Sequence, residues 1–524
     1  MIKSKDIWVI SILIVVSFGI YLNTFEGEFV WDDKTLFVQN YDRWQWKNIK
    51  DLLSCSDNLF GANEHRYYRP LPNLTFLIDR SIWGGKASGY HLFNIFFHSL
   101  STITVFYIAR ILLGNLYSSL AASLLFAVHP VHTEAVAWIN GRNNAMAGFF
   151  YFLAFYYYVK HRNHGNRGAI VVSLIAFTCS LFSKEYALTF PIVLFIYEIS
   201  YQHAAMNVRL RPHQAVRQWI PYWAIMTVYL ILRSSLLPAL GATPLYMDML
   251  GVRVMTVPKI LLCYLQLLVL PLNLNVFHDM SFIETPWDPA FLLQSIGILF
   301  ILVVWVKSYN RWRHAFFGLG WIFITLLPVM NIIPISSTNT FFAERYLYIP
   351  SFGFCFLAGI LFRSLLEHED LPRRFRIYLA ILLIAGAAEG YGFETAKRNL
   401  VWRNELILWM DTVKKSPESF MVRTNLSLAL YAVNRLDEAE KEIKEAIRLN
   451  PYQDTPHYIL GVILYRKALY QDSMKALERT LQINPHHKDA SILLARIKSG
   501  LSISQKLSRE EKSYHGQSQT ADRP

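Results

Sequence analysis

Charge, and acidic charge above all, is in short supply. Charged residues make up 17% of the 524, against roughly one quarter in an ordinary soluble chain. Asp and Glu number 38 against 51 Lys and Arg, a formal net charge of +13. Cysteine is scarce too. Cys55, Cys179, Cys263 and Cys355 form no CxxC pair and three lie in apolar stretches, so neither a disulfide framework nor a zinc site is expected. A small-x-small cleavage site is also missing after the first apolar run, residues 7–22, which Lys3 and Lys5 precede; Asn23-Thr24-Phe25-Glu26 follows instead. The run reads as an uncleaved first span.

What is abundant is apolar sequence: 53% of residues are hydrophobic and mean hydropathy is +0.25. Further apolar runs cover about 91–112, 118–131, 144–160, 168–182, 187–201, 219–236, 291–306, 314–334, 347–365 and 378–393, some shorter than the roughly 20 residues of a straight span. The 14 Trp and 29 Tyr fit interfacial belts. Basic residues concentrate in the short loops 160–167, 209–217, 307–313 and 363–376. In such loops they are a topology signal first, and no nucleic acid is expected as a partner. These loops are expected on the cytoplasmic side and the others on the outer side. One run breaks the alternation: residues 257–276, with Pro258 and Pro271, are read as re-entrant or surface-lying. The result is about eleven crossings, an all-α polytopic bundle over 1–393; were 257–276 to cross, a twelfth crossing would put the C-terminal region in the cytoplasm.

Ser416-Pro417, Asn450-Pro451 and Asn484-Pro485 recur every 34 residues. Between them, apolar and small residues such as Leu426, Leu430, Ala439, Leu460, Gly461 and Leu477 fall on helical spacing, the tetratricopeptide pattern. Residues 394–500 are expected to form an α-solenoid of such repeats on the outer side. The polar tail 501–524 is expected to be disordered.

Ionisable residues gather in the loops assigned outward. Within the first outer loop, 23–90, stand Trp31-Asp32-Asp33 and His65-Arg66-Tyr67-Tyr68-Arg69-Pro70. One carboxylate of an adjacent pair can take a proton while the other orients the substrate or raises its neighbour's pKa; equally the pair could cap a helix. His129, His132 and Glu134 follow an apolar run, and histidines three apart share a helix face. Metal ligation, substrate contact or helix capping all fit them. Lys184, Arg142 and Arg345 run against the positive-inside bias and suit a lipid phosphate, although Lys184 could simply pair with Glu185. His278-Asp279 and Glu344-Arg345 through Tyr348 complete the set. Ionisable groups at membrane depth are functional candidates, though Glu344 and Arg345 could merely order helices.

Val30-Trp31-Asp32-Asp33, Tyr68-Arg69-Pro70, His91–His98, Leu125–Ala137 with its His129-Pro130-Val131-His132-Thr133-Glu134 core, Gly141-Arg142, Ser183-Lys184-Glu185 and Ala343–Gly353 together resemble one family. It is the transmembrane and tetratricopeptide repeat-containing proteins, a branch of the membrane-embedded, lipid-dependent GT-C glycosyltransferases. The resemblance implies transfer of mannose from a polyprenyl-phosphate donor to a Ser or Thr of an exported protein. Asp33 is expected as base and Asp32 as its orienting partner. Lys184, Arg142 and Arg345 are expected on the donor phosphate, and Arg69, His129, His132, Glu134, Glu185, His278, Asp279, Glu344 and Tyr348 to position substrate. No obligatory metal is expected, a divalent ion being left open. The repeats are expected to hold the acceptor. About two repeats, against many in animal members, point to a prokaryotic relative in the plasma membrane, or to the endoplasmic reticulum in a eukaryote. A non-catalytic scaffold and a lipid-linked glycan transporter or ligase are the alternatives.

Overall fold

The computed structural model describes residues 4–54, 67–201, 212–236, 250–330, 332, 342–368, 370 and 372–500. Cys55, His65, Arg66, residues 209–211 of the second basic loop, part of the late outer loop and the tail 501–524 lie outside the described residues. Among the described residues all regular elements are helical, as the all-α expectation requires. The helices that matter below are α1 (Ser4–Gly19), α2 (Pro70–Trp83), α3 (Ala87–Leu113), α4 (Leu116–Val128), α5 (Arg142–His164), α6 (Arg167–Leu181), α7 (Phe190–Tyr201), α8 (Pro212–Leu236), α9 (Leu250–Val269), α10 (Pro289–Arg311), α11 (Arg313–Leu326), α12 (Pro350–Glu367) and α13 (Arg373–Val401). Each apolar run read from the sequence lies mainly on one of them, part of the end of the run 314–334 falling outside the described residues.

Among the described residues six helices are long and apolar enough to cross a membrane, α3, α10, α12 and α13 included. Within α10 the apolar window buries none of its residues against the protein. Its Leu293, Ile296, Leu299 and Phe300 point outward, an apolar surface of the kind that lipid covers. The chain is an integral membrane protein.

Apolar burial cannot drive helices together inside lipid, so small residues set how closely they pack. A Cβ built on Gly353 of α12 would stand 2.6 Å from the Gly318 carbonyl of α11, and one on Gly148 of α5 2.5 Å from the Tyr348 ring. The aromatic core around Tyr151, Phe152, Phe155, Trp321 and Phe352 fills the space between. Trp321 Nε1 donates to the Ile349 carbonyl at 2.9 Å, meeting the polar need of a fully buried indole.

Of the segment 257–276, expected to be re-entrant or surface-lying, the part up to Val269 belongs to the continuous helix α9 and the rest is non-helical. By length and composition α9 could span. It packs against α10 and shares an apolar cluster with Ile322 and Phe323 of α11, and three of its residues also bond to loops. Thr256 Oγ accepts from the Ile283 N–H at 3.1 Å, and Lys259 Nζ donates to the Ser281 carbonyl at 2.8 Å. At the far end of the helix the Leu268 carbonyl meets His129 Nε2 at 2.9 Å. Residues 281–283, 275–278 and 129–134 belong to the same cluster of loops.

The chain divides into two compact units, Met1–Glu405 and Leu406–Pro524, with α13 running unbroken through residue 393. In the second unit the helix pair Phe420–Ala432 and Leu436–Leu449 is followed by Asp454–Arg466 and Tyr470–Ile483. The two pairs are bonded at the same two positions with donor and acceptor exchanged: Ser427 Oγ on the first helix donates to the Ala439 carbonyl, and Ser473 Oγ on the second helix to that of Gly461, both at 2.7 Å.

Candidate functional site

The Trp31-Asp32-Asp33 turn is built on an unusual backbone. Trp31 has φ of 56°, a left-handed conformation that a bulky side chain enters only under constraint. The constraint is reciprocal bonding between Val30 and Asp33: the Asp33 N–H donates to the Val30 carbonyl at 3.0 Å, and the Val30 N–H to Asp33 Oδ2 at 3.3 Å. Asp33 Oδ1 accepts from the Asn140 N–H at 3.0 Å. The Asp33 side chain is fully buried, and burial raises its carboxyl well above the usual range despite those bonds. Asp32 faces the other way and is exposed.

Arg142 is also turned inward. Its Nε donates to Asn94 Oδ1 at 2.8 Å, Nη1 to Thr75 Oγ1 at 3.2 Å and Nη2 to the Tyr90 carbonyl at 2.8 Å, with Asp79 Oδ2 2.5 Å away. Burial pushes the Asp79 carboxyl up to about 6 against the pull of this arginine. Asn94 Nδ2 in turn donates to the carbonyls of Val136, Trp138 and Ile139. Asn94 therefore ties the loop 136–141 to α3, Arg142 ties the start of α5 to α2 and α3, and Asp33 ties the loop to the 30–33 turn. With its donors spent inside the protein, Arg142 does not face the other cations expected to meet a donor phosphate.

Those others do come together. Arg345 pairs with Glu134 through its guanidinium, and its N–H donates to Glu134 Oε2 at 2.8 Å. Lys184 Nζ donates to Asn144 Oδ1 at 2.6 Å, as does the Tyr186 hydroxyl at 2.7 Å. The Tyr346 ring lies between the two cations, 5.5 Å from Lys184 Nζ and 5.1 Å from Arg345 Cζ. Burial, and then the charges of Arg69 and Arg345, push the Lys184 ammonium well below its usual range. Arg69 Nη2 donates to Glu185 Oε2 at 3.0 Å; burial pushes the Glu185 carboxyl up, but Arg69 and the more remote Arg233 bring it below its ordinary value. Asp32 lies within electrostatic reach of Arg345. Above Arg345 the rings of Trp31 and Trp138 stack at 4.9 Å and those of Trp138 and Trp402 at 5.9 Å.

The histidines form a separate, buried group. His129 Nε2 meets the Leu268 carbonyl, His132 Nε2 the Ser351 hydroxyl at 2.7 Å, and His98 Nδ1 the Tyr348 hydroxyl at 3.0 Å. None of the three is exposed; they pin α3, α4, α9 and α12 together. Among the described residues no group of three or more His, Cys, Asp and Glu is placed to hold a metal ion. Glu344 accepts from the Asn275 N–H and from His278 Nε2, the latter at 3.1 Å, so it fixes the segment after α9. Asp279, next in sequence, is exposed.

Comparison with known proteins finds relatives over most of the chain. A protein O-mannosyl-transferase of Caenorhabditis elegans, F38B6.6, is 31% identical over 476 residues, 86% of this chain and 64% of that protein. Human protein O-mannosyl-transferase TMTC2 is 26% identical over 519 residues, 82% of this chain and 61% of that protein. The chain's likeness is to protein O-mannosyl-transferases. It spans about six-tenths of the length of these curated relatives. No protein-family model matches it. Among solved structures, the archaeal oligosaccharyltransferase AglB from Archaeoglobus fulgidus, in complex with an inhibitory peptide and a dolichol-phosphate, superposes with a TM-score of 0.41 at 12% identity, over 76% of this chain and 56% of that one. ArnT from Cupriavidus metallidurans bound to undecaprenyl phosphate gives 0.42 at 12% identity, over 80% of each chain.

Beside the candidate residues read from the sequence stand others that it did not single out: Asn144, Tyr186, Tyr346, Trp138, Trp402, Asp79 and Arg233. Tyr346 sits inside the Glu344–Tyr348 motif and Asn144 two residues after Arg142, so proximity was a usable signal for these two. Trp402 lies 371 residues from Trp31 in the chain, and no local pattern links them.

Proposed function

We propose that the protein transfers a sugar, mannose by similarity to its named relatives, from a polyprenyl phosphate to the hydroxyl of a Ser or Thr of an exported protein, on a GT-C-like scaffold. The observation that carries the reading is the exposed Asp32 carboxylate beside the Arg345–Glu134 pair, with Lys184 across the Tyr346 ring. A hydroxyl is a weak nucleophile near neutral pH, so a carboxylate must accept its proton as the bond forms. Asp32 faces solvent and can meet an acceptor; Asp33 is buried and committed to two backbone N–H groups. The roles read from the sequence are therefore exchanged: Asp32 is the base, and Asp33 holds the turn that presents it. The leaving group is an anionic lipid phosphate, and Lys184, Arg69 and Arg345 supply positive charge against it. Glu134 aims Arg345, Glu185 aims Arg69, and the Trp31–Trp138 stack offers a wall for a sugar or peptide. Direct displacement on a β-linked donor gives an α-linked product.

A single phosphate leaves, so these cations can carry its charge without an obligatory metal ion. We place the site on the outer side of the membrane, opposite the basic loops, and assign the 34-residue repeats to acceptor binding. The test is purified protein with a polyprenyl-phosphate mannose and a Ser/Thr peptide, the product read by mass spectrometry, with and without chelator. Transfer that survives chelator and is lost in Asp32→Asn supports the reading. Wild-type turnover by Asp32→Asn would overturn it.

A further inference from the structure

Around the Arg69–Glu185 pair the fold leaves polar atoms unused. Arg69 Nε and Glu185 Oε1 are buried without a hydrogen-bond partner, and α8 adds the Tyr229 hydroxyl and Arg233 Nε in the same condition. Tyr229 and Arg233 are four residues apart on one helix face, and both side chains are buried. The Tyr229 ring lies 6.3 Å from that of Tyr68 and 6.0 Å from that of Phe182, so this end of α8 packs on the segments that hold Arg69 and Glu185. Glu185 lies within electrostatic reach of both Arg69 and Arg233, and Arg69 of Lys184.

The charges do not balance: Arg69 and Arg233, joined by Lys184 once it takes up a proton, face the single carboxylate of Glu185, the nearby Glu134 being met by Arg345. With an anion bound the cations exceed Glu185 by two, and buried charge of one sign calls for such a partner. A phosphate monoester carries close to two negative charges near pH 7, whereas the phosphodiester of a lipid-linked sugar, or of a phospholipid, carries one. Next to Arg233 the outer surface of α8 is apolar and uncovered, with Ile231 63% and Val228 64% exposed. A cationic, hydroxyl-bearing patch at the head of an exposed apolar strip matches a phosphate on a hydrocarbon tail.

We propose that Arg233 and Tyr229 complete, with Arg69 and Lys184, a site for the phosphate of a polyprenyl monophosphate, whose tail runs along the exposed face of α8. The proposal rests on the lipid-monophosphate reading above and adds to it a helix and two residues. Because the excess charge matches the monoester formed on transfer better than the diester donor, the site favours the departing group, the direction catalysis requires.

The test uses the full chain in lipid nanodiscs and measures binding of a sugar-free polyprenyl monophosphate. Arg233→Ala should weaken binding about tenfold or more, as expected for a lost charge-assisted contact. Arg233→Lys should recover part of it, and Tyr229→Phe should lose several-fold. Inorganic phosphate should compete only weakly, and phosphatidylglycerol should not compete. Thermal unfolding checks each variant, and Arg233→Lys and Tyr229→Phe decide the matter if Arg233→Ala does not fold. Wild-type binding by the folded variants would mean that water alone meets these atoms, and would overturn the proposal. Equal competition by inorganic phosphate would overturn the role of the tail. If the wild-type protein itself does not bind the lipid phosphate, the donor reading falls with it.

Discussion

Asp32 and Asp33 are neighbours in sequence and opposites in surroundings, and each predicts a different phenotype. Asp32→Asn should keep the melting temperature and lower the rate of transfer roughly 10²–10⁴-fold, the usual size of general-base help. Asp33→Ala strands the N–H groups of Val30 and Asn140 and should cost about 1–3 kcal/mol of stability, read as a fall in thermal unfolding temperature in detergent. Lys184 predicts a pH dependence. Its proton is held less tightly in the folded protein than in the unfolded chain, so stability rises with pH between the depressed folded value and the ordinary lysine value. A phosphate beside it reverses the bias, because an opposite charge favours the ammonium form. Lipid-phosphate binding should then take up a proton in that window, and affinity should fall as pH rises through it. Calorimetry in buffers of different ionisation enthalpy measures the uptake. Lys184→Met should abolish it, and uptake unchanged in that variant would remove Lys184 from the site.

Among the elements, α9 makes the sharpest topological statement. Its Thr256, Lys259 and Leu268 all meet loops at the site end of the bundle. Single cysteines at Lys259 and at the exposed Asp279 should therefore label from the same side of sealed vesicles. Labelling from opposite sides would make α9 a true crossing. In the second unit, Asn434 and Ala468 occupy equivalent positions 34 residues apart with φ of 62° and 59°. A left-handed conformation costs a residue with a Cβ about 1–2 kcal/mol, and asparagine tolerates it better than alanine. Ala468→Gly should thus raise the unfolding temperature, by a gain of about 1 kcal/mol, with helicity by circular dichroism unchanged.

At the scale of the whole molecule, the end of α13 is fastened to the first loop. The Glu28 N–H donates to the Arg403 carbonyl at 2.8 Å, Asn399 Nδ2 to the Ile20 carbonyl at 3.0 Å, Lys34 pairs with Glu405, and Trp402 ends the stack that begins at Trp31. Trp402→Ala removes a buried indole, at a cost of about 3–5 kcal/mol. It should also slow transfer, because Trp31 and the turn carrying Asp32 lose their backing; a variant with normal rates would show that the stack is structural only. A cysteine near Asn450 should label from the non-cytoplasmic side, and cytoplasmic labelling would reverse the orientation proposed here. The sequence by itself determined the apolar helices, because about 20 uninterrupted apolar residues have few other uses. It also determined the 34-residue period, and it pointed to Asp32, Lys184, Glu134 and Arg345 as candidates for one site. Those signals are local: run length, helical spacing, charges out of place for their loop. Only the tertiary structure decided which ionisable groups are enclosed and which are exposed or brought together. Arg142 and Asp33 carry the same charges as Arg345 and Asp32, but Asp79 and Asn94 enclose the first and the Val30 and Asn140 amides the second. Burial and partners come from segments tens to hundreds of residues apart, and no spacing along the chain encodes them.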